Sequence, residues 1–276
     1  MVEGKIHIQG NWRHKMVTEP VIKLPTKKSK IESDLSKYSI LLYGKIKIGK
    51  TSLCAQFPDA LFLMTEPGGK SLEIYQMDIR NWAHFKQVLT AIESSDMYKT
   101  IVVDTVDNLF KMCTDWYCKK NAIQHPSDED WGKGWQMISD EFLLAITKLM
   151  QLNRGVIFTS HAAAHEIKKY AQPTVTEIVP TLSKQGRRVL EPIMDLVAYF
   201  RYAEKETDDS SRILQIRGDS NVVAGCRMTR NFVGIKEIPM GKSASEGYTN
   251  FIKAFNNETT SQSSEAAPRK LKLKVN

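Results

Sequence analysis

Between Gly44 and Thr51 the chain reads Gly-Lys-Ile-Lys-Ile-Gly-Lys-Thr. This fits G-x-x-x-x-G-K-[ST] at every fixed position, and each fixed residue has a chemical reason to be there. Glycines at 44 and 49 let the backbone curl until successive N–H groups point at one anion. The helix that follows presents its positive end to the same anion. Lys50 has the reach to meet the β- and γ-phosphate oxygens, and the Thr51 hydroxyl is a ligand for Mg²⁺. Lys45, Ile46, Lys47, Ile48 and Ser52 supply the remaining backbone of the cradle. A chance match in a chain of this length is on the order of one per cent at average composition. ATP and Mg²⁺ are therefore the expected cofactor pair.

Three further positions complete a hydrolytic constellation. Asp104 ends the apolar run Thr100-Ile-Val-Val, and a carboxylate there can hold Mg²⁺ through water. Asp107 is read as the cap of the next helix. Thr105, not a glutamate, follows Asp104, so the base that polarises water must come from elsewhere. Glu66 is the substitute: it closes the apolar segment Ala60–Thr65 and precedes Pro67-Gly68-Gly69. If the two strands are neighbours, Glu66 faces the same crevice at their C-terminal ends, where open α/β sheets bind ligands. His161 in Phe-Thr-Ser-His ends another apolar run, and either His161 or Ser160 can sense the γ-phosphate and relay its loss.

These residues need elements to hold them. Tyr38–Tyr43 is a short apolar run suited to a buried parallel strand. A short helix follows from Lys50 and stops before Pro58. Further strands fit 60–65, 100–103 and 155–159. Helical spacing of Trp82, Phe85, Val88, Leu89 and Ile92 predicts a helix over 81–94. Two more helices, from about Asp107 to Ala122 and from about Trp135 to Leu152, bracket a polar loop at 125–134. Strands at 196–202 and 212–217 read as a late hairpin. Alternating strands and helices predict an α/β fold with a mostly parallel central sheet flanked by helices and late antiparallel strands. Residues 1–35, with a net charge of +3, read as a basic arm, 36–256 as the ATPase domain, and 257–276 as a polar, basic-ended tail of disordered composition.

Composition narrows the class. At 276 residues, 42% hydrophobic and 25% charged, the chain can bury a core without staples. No run approaches the length of a spanning helix, and the first residues lack the apolar stretch of a secretory signal. Four scattered cysteines make neither a disulfide framework nor a zinc set. A cytoplasmic protein is expected, with no membrane partner. The net charge of +8 favours a polyanion as partner.

Taken together, the segments YGKIKIGKTSL, QFP, ALFLMTEPGG, TIVVDTVDNL, WGKGWQMISDEF and VIFTSHA resemble the phage-type RecA-like ATP-binding proteins of the AAA domain group, which includes single-strand annealing proteins. The likeness covers about residues 38–230. It implies a RecA-like core, a role in DNA recombination or annealing, and the host cytoplasm as the compartment. It would make Glu66 the catalytic glutamate and His161 the γ-phosphate sensor. The chain is much shorter than RecA proper, so annealing or loading, not full strand exchange, is the expected activity.

The same resemblance implies single-stranded DNA on the segment after His161. Residues 162–190 carry Lys168, Lys169, Lys184, Arg187 and Arg188 against Glu166 and Glu177, with Tyr170 as a stacking face and Gln185-Gly186 as a flexible point. It also implies a homo-oligomer, ring or filament, in which a neighbour's cation completes the site. Arg227 is the candidate, with Arg217 and Arg230 as alternatives. A single-strand binding protein is a further partner of this reading. Two rivals stay open: a P-loop protein using ATP as an assembly switch without turnover, and a small-molecule kinase. Because the tail composition cannot form a core, deleting residues 258–276 should leave ATP turnover unchanged and move the melting temperature by less than about 2 °C; a larger drop in a thermal melt contradicts this.

Overall fold

The computed structural model describes residues 24–167, 174–203 and 211–258. The chain divides into two units, Met1–Glu32 and Ser33–Asn276. Residues 24–32 of the first unit form no regular element.

Apolar alternation sets the sheet. In β1 (Ser39–Gly44), Ile40 and Leu42 face one side, Leu41 and Tyr43 the other, and all are buried. Strands buried on both faces belong in a parallel sheet with helices on either side. The partners are β2 (Ala60–Met64), β3 (Tyr75–Asp78), β4 (Thr100–Asp104), β5 (Gly155–Ile167) and β7 (Leu196–Tyr202). The last part of the chain adds β8 (Arg212–Gln215) and β10 (Glu237–Gly241), with β9 (Gly225–Cys226) beside β7. The sheet runs β10-β8-β7-β1-β5-β4-β2-β3, antiparallel at β7–β8 and β8–β10.

Two aliphatic-aromatic layers fill the faces. On one side lie α2 (Trp82–Glu93), α3 (Val106–Lys120), α4 (Lys133–Met150) and α5 (Lys184–Leu190), around Trp82, Phe85, Phe110 and Phe142. On the other lie α1 (Lys50–Cys54) and α6 (Ala244–Phe255), packed on Phe57, Phe62, Phe232 and Ile238. Asn81 caps α2 and Ser243 caps α6, each side chain accepting a backbone N–H bond. No helix among the described residues is long and apolar enough to cross a membrane.

Several expectations change. The fourth predicted strand does not stop at Thr159: β5 is 13 residues long, and its second half pairs antiparallel with β6 (Val175–Pro180). The alanines at 162–164 have no strand preference of their own, so neighbour pairing decides here. The described residues of 162–190 are thus two paired strands followed by helix α5, not one loop. Gly186 is no hinge: it is buried within α5, and a Cβ there would lie 2.7 Å from Leu182 and 3.2 Å from Phe110. Asp107 does not cap α3. Thr105 occupies that position, and Asp107 stands in the first turn. Trp131 of the polar loop is fully exposed, while Trp135 in α4 packs half-buried against the core.

Phe142 is fully buried, stacked on Trp82 at 5.9 Å and edge-on to Phe110 at 5.0 Å. Removing it empties the joint of three helices. Phe142→Ala should cost about 3–5 kcal/mol, read as a lower urea midpoint with an unchanged slope.

Candidate active site

Register brings the predicted residues to one edge. Gly44 pairs with His161 and with Phe200, Asp104 with Thr159, and Met64 with Asp104. β5 therefore lies between the phosphate-loop strand and the Asp104 strand, and the C-terminal ends of β1, β2 and β4 come to one edge with the middle of β5. Gly44 permits the tight passage: a Cβ there would sit 2.3 Å from the Phe200 carbonyl oxygen. The loop from Gly44 to α1 turns through left-handed backbone at Lys47 (φ 63°) and Gly49 (φ 104°). The second of these favours glycine.

Lys50 is buried at the mouth of the loop. Its Nζ donates to the carbonyls of Gly44 and Lys45, both at 3.0 Å, and lies 3.3 Å from His161 Nδ1. Burial pushes its pKa down, opposed by the fields of Asp104, Asp107, Cys54 and Glu66. An ammonium only donates, so Nδ1 of His161 is the acceptor, and this assigns the ring proton to Nε2. Nε2 faces Glu66, 3.6 Å from Oε1, beyond hydrogen-bond length.

Asp104 is buried and accepts from both neighbours. Thr51 Oγ1 donates to its Oδ2 at 2.7 Å and Thr159 Oγ1 to its Oδ1. Thr65 and Thr105 fix the end of β2 to that of β4. Thr105 N donates to Thr65 Oγ1 at 2.9 Å, and Thr65 Oγ1 donates to the Thr105 carbonyl at 2.8 Å. The next residue, Glu66, is thereby held over the crevice, with Asn108 Nδ2 3.4 Å from its Oε2. The crevice, about 270 Å³, is lined by Lys50, Thr51, Glu66, Asp104 and His161. The arrangement fits a nucleotide with Mg²⁺: a left-handed glycine turn, a cation already desolvated, and a hydroxyl–carboxylate pair of hard oxygen donors. Among the described residues no group of three or more His, Cys, Asp or Glu could hold a metal by itself. Any Mg²⁺ would thus depend on Thr51, Asp104 and the phosphates.

The match to a known family agrees with this geometry. Residues 36–228 match AAA_24, described as an AAA domain. The chain belongs to the AAA_24 family. As a member of that family it is an AAA-type P-loop NTPase. It is also similar, at 33% identity over 180 residues, to the SPbeta prophage-derived uncharacterized protein YorG of Bacillus subtilis strain 168; the match covers 63% of this chain and 52% of that protein. The chain thus spans about half the length of this curated relative. Among solved structures, the KaiC-like protein PH0186 of Pyrococcus horikoshii OT3 aligns over 76% of this chain and 88% of its own, with a TM-score of 0.46 and 17% identity.

Other predicted residues fall elsewhere. Lys168 and Lys169 lie outside the described residues. Lys184 and Arg188 are exposed one turn apart on α5, while Arg187 is half-buried beside Glu191, 3.9 Å away. Arg227 lies by the first residues of β7, the end of the strand remote from the phosphate loop, and donates to the Pro192 carbonyl. Neither it, Arg217 nor Arg230 lines the crevice of its own chain. Sequence reasoning missed the clamp by Thr159, for which the Thr-Ser-His triplet was the only signal. It also missed a relay: Asp107 Oδ1 accepts from Ser160 Oγ at 3.0 Å and Thr181 Oγ1 at 2.6 Å, and Thr181 N donates to the His161 carbonyl at 2.9 Å.

Lys50→Ala removes the buried cation at the centre of this site. It should abolish ATP hydrolysis and weaken ATP binding at least tenfold, measured by phosphate release and by titration calorimetry.

Proposed function

We propose that the family member is a Mg²⁺-dependent ATPase that binds single-stranded DNA and promotes annealing or recombination, acting as a homo-oligomer. The observation that carries this reading is the direct connection between the crevice and the segment beyond it. His161 and Ser160 stand on β5 at the crevice, and the same strand continues into the β5–β6 hairpin. Thr181, which bonds to Asp107 and to the His161 carbonyl, leads from β6 into α5 with its exposed Lys184 and Arg188. A prophage-derived relative is in keeping with DNA metabolism in a host cytoplasm.

Thr51 and Asp104 would hold Mg²⁺, which when bound would supply positive charge to the phosphate oxygens. Lys50 Nζ binds the outer phosphates by exchanging the Gly44 and Lys45 carbonyls for them. Glu66 Oε1 takes the proton of the attacking water, and the Thr65–Thr105 bonds hold that residue over the crevice. A change at Lys50 reaches His161 directly, through the 3.3 Å contact, and the hairpin through its backbone. A neighbouring subunit supplies the stabilising arginine, with Arg227 as the candidate. A single-strand binding protein is the partner that such an activity would meet.

Glu66→Gln should retain ATP affinity but lose about 10²- to 10⁴-fold in turnover; unchanged turnover overturns the assignment of the base. Single-stranded DNA should raise the turnover of the unaltered protein, and a chain that binds ATP and DNA without turnover would instead be an assembly switch. DNA affinity should fall with salt, with a log–log slope of about −0.7 per phosphate neutralised. Lys184→Ala with Arg188→Ala should flatten that slope by about 1.4 in an anisotropy series, leaving DNA-free hydrolysis unchanged. Equal slopes remove α5 from the DNA surface.

A further inference from the structure

The connection between α3 and α4 carries Trp131, whose side chain is fully exposed. Tryptophan is enriched among the residues that dominate protein interfaces. This one stands on a rigid frame. On the turn Pro126–Asp128, His125 Nδ1 accepts from Ser127 N at 3.1 Å, and Asp128 Oδ2 accepts from His125 N at 2.8 Å. Tyr117 Oη donates to the Glu129 carboxylate, 3.1 and 3.0 Å from its two oxygens. Gly134 packs so closely that a Cβ there would lie 2.3 Å from the Pro126 carbonyl oxygen. Within that frame the backbone is left-handed at Trp131 (φ 56°) and Gly132 (φ 71°). The conformation is disfavoured for a residue with a bulky side chain, and its retention in an ordered loop points to a role for that side chain. We propose that Trp131 is the plug of a head-to-tail contact between two copies of this chain, seated in a cavity beside the neighbour's phosphate loop. The inference rests on the homo-oligomer of the proposed function and names the two surfaces that form it.

Charge selects the partner. Asp128, Glu129 and Asp130 lead into Trp131, and Lys133 is the only cation within five residues of it along the chain. Aromatic side chains that stack on single-strand bases sit in positively charged grooves. An acidic collar repels a phosphate backbone instead. The chain as a whole carries a net charge of +8, so a second copy offers the cationic surface that this collar complements.

The receiving cavity, about 230 Å³, opens between the phosphate loop, the far half of β5 and the end of β7. Ala164, Ile178, Tyr199 and Tyr202 give it aliphatic and aromatic walls, and Lys45 and Arg201 bring positive charge. No carboxylate lines it, although Glu237 holds Arg201 at 2.9 Å from outside. The Tyr199 ring is stacked on Tyr43 at 5.1 Å, so that wall is already in place. Aromatic rings and cations are the neighbours an indole favours. Plug and cavity are different surfaces, so the contact is heterologous, and copies add in series into a ring or a filament. Lys45 and Ile48 of the phosphate loop line the cavity, so a seated plug lies against the neighbour's nucleotide site.

The experiment follows self-association of the full chain by sedimentation velocity over a concentration series, with Mg²⁺ and the β,γ-imido analogue of ATP. Trp131→Ala removes the plug from the surface without touching the core. Ala164→Phe fills the cavity. Each should weaken self-association by about tenfold or more. Mixed in equal amounts, the two variants should regain one contact and stop at a dimer, because one keeps its plug and the other its cavity. A mixture that stays monomeric overturns the pairing of these two surfaces. Trp131→Ala that assembles like the unaltered chain overturns the proposal while leaving the homo-oligomer standing; an unaltered chain that stays monomeric removes both. Weaker binding of a labelled oligonucleotide by Trp131→Ala, with self-association unchanged, would make Trp131 a base-stacking residue and overturn the contact between copies.

Discussion

The buried Asp104 carboxylate, gripped from both sides by hydroxyls of Thr51 and Thr159, is the constraint on which the rest depends. It joins three segments far apart in sequence: the start of α1, the end of β4 and the middle of β5. A carboxylate at this depth is tolerable only because donors meet both oxygens. Parallel register makes that possible, since Asp104 and Thr159 are paired residues of adjacent strands. The Lys50 ammonium, itself costly to bury, gains from the same negative charge. Structural and chemical roles therefore coincide in one group, and the fold cannot relax there without dismantling the site.

Much of this was legible in the sequence because it rests on local rules. The phosphate loop is contiguous, its strand and helix are announced by apolar runs, and the carboxylates of Glu66 and Asp104 stand where such runs end. The central strands are buried on both faces, so hydrophobicity alone marks them. What escaped depends on pairing rather than composition. β3 is an exposed edge of Tyr-Gln-Met-Asp, and the far half of β5 reads Ala-Ala-Ala-His-Glu-Ile. Neither has an apolar signature; both exist because a neighbouring strand offers its backbone.

The same distinction holds within the site. Chemistry-bearing residues could be named one by one, but their mutual orientation could not. Asp107 looked like a helix cap, since an aspartate at the start of a helix usually is one. Its bonds to Ser160 and Thr181 arise only when β6 returns beside β5, which no local pattern encodes. Arg212 follows Ile48 by 164 residues along the chain, yet its Nε reaches that residue's carbonyl and so touches the phosphate loop. A lone arginine at the start of a late strand carries no signal of that contact.

β5 is also a mechanical element. Up to Gly44's partner, His161, it is clamped in the parallel sheet, and from Ala162 to Ile167 it projects as one arm of a two-stranded ribbon. Six residues of strand reach about 20 Å. A tilt of about 5° at the clamp therefore carries the far end of the arm by about 1.7 Å over that reach. The ribbon is tied to the body a second time at Ile178, the residue opposite Ala164: the Ile178 carbonyl accepts from Tyr43 Oη and Val223 N, so the swing of the arm is set by that tie as well as by the histidine.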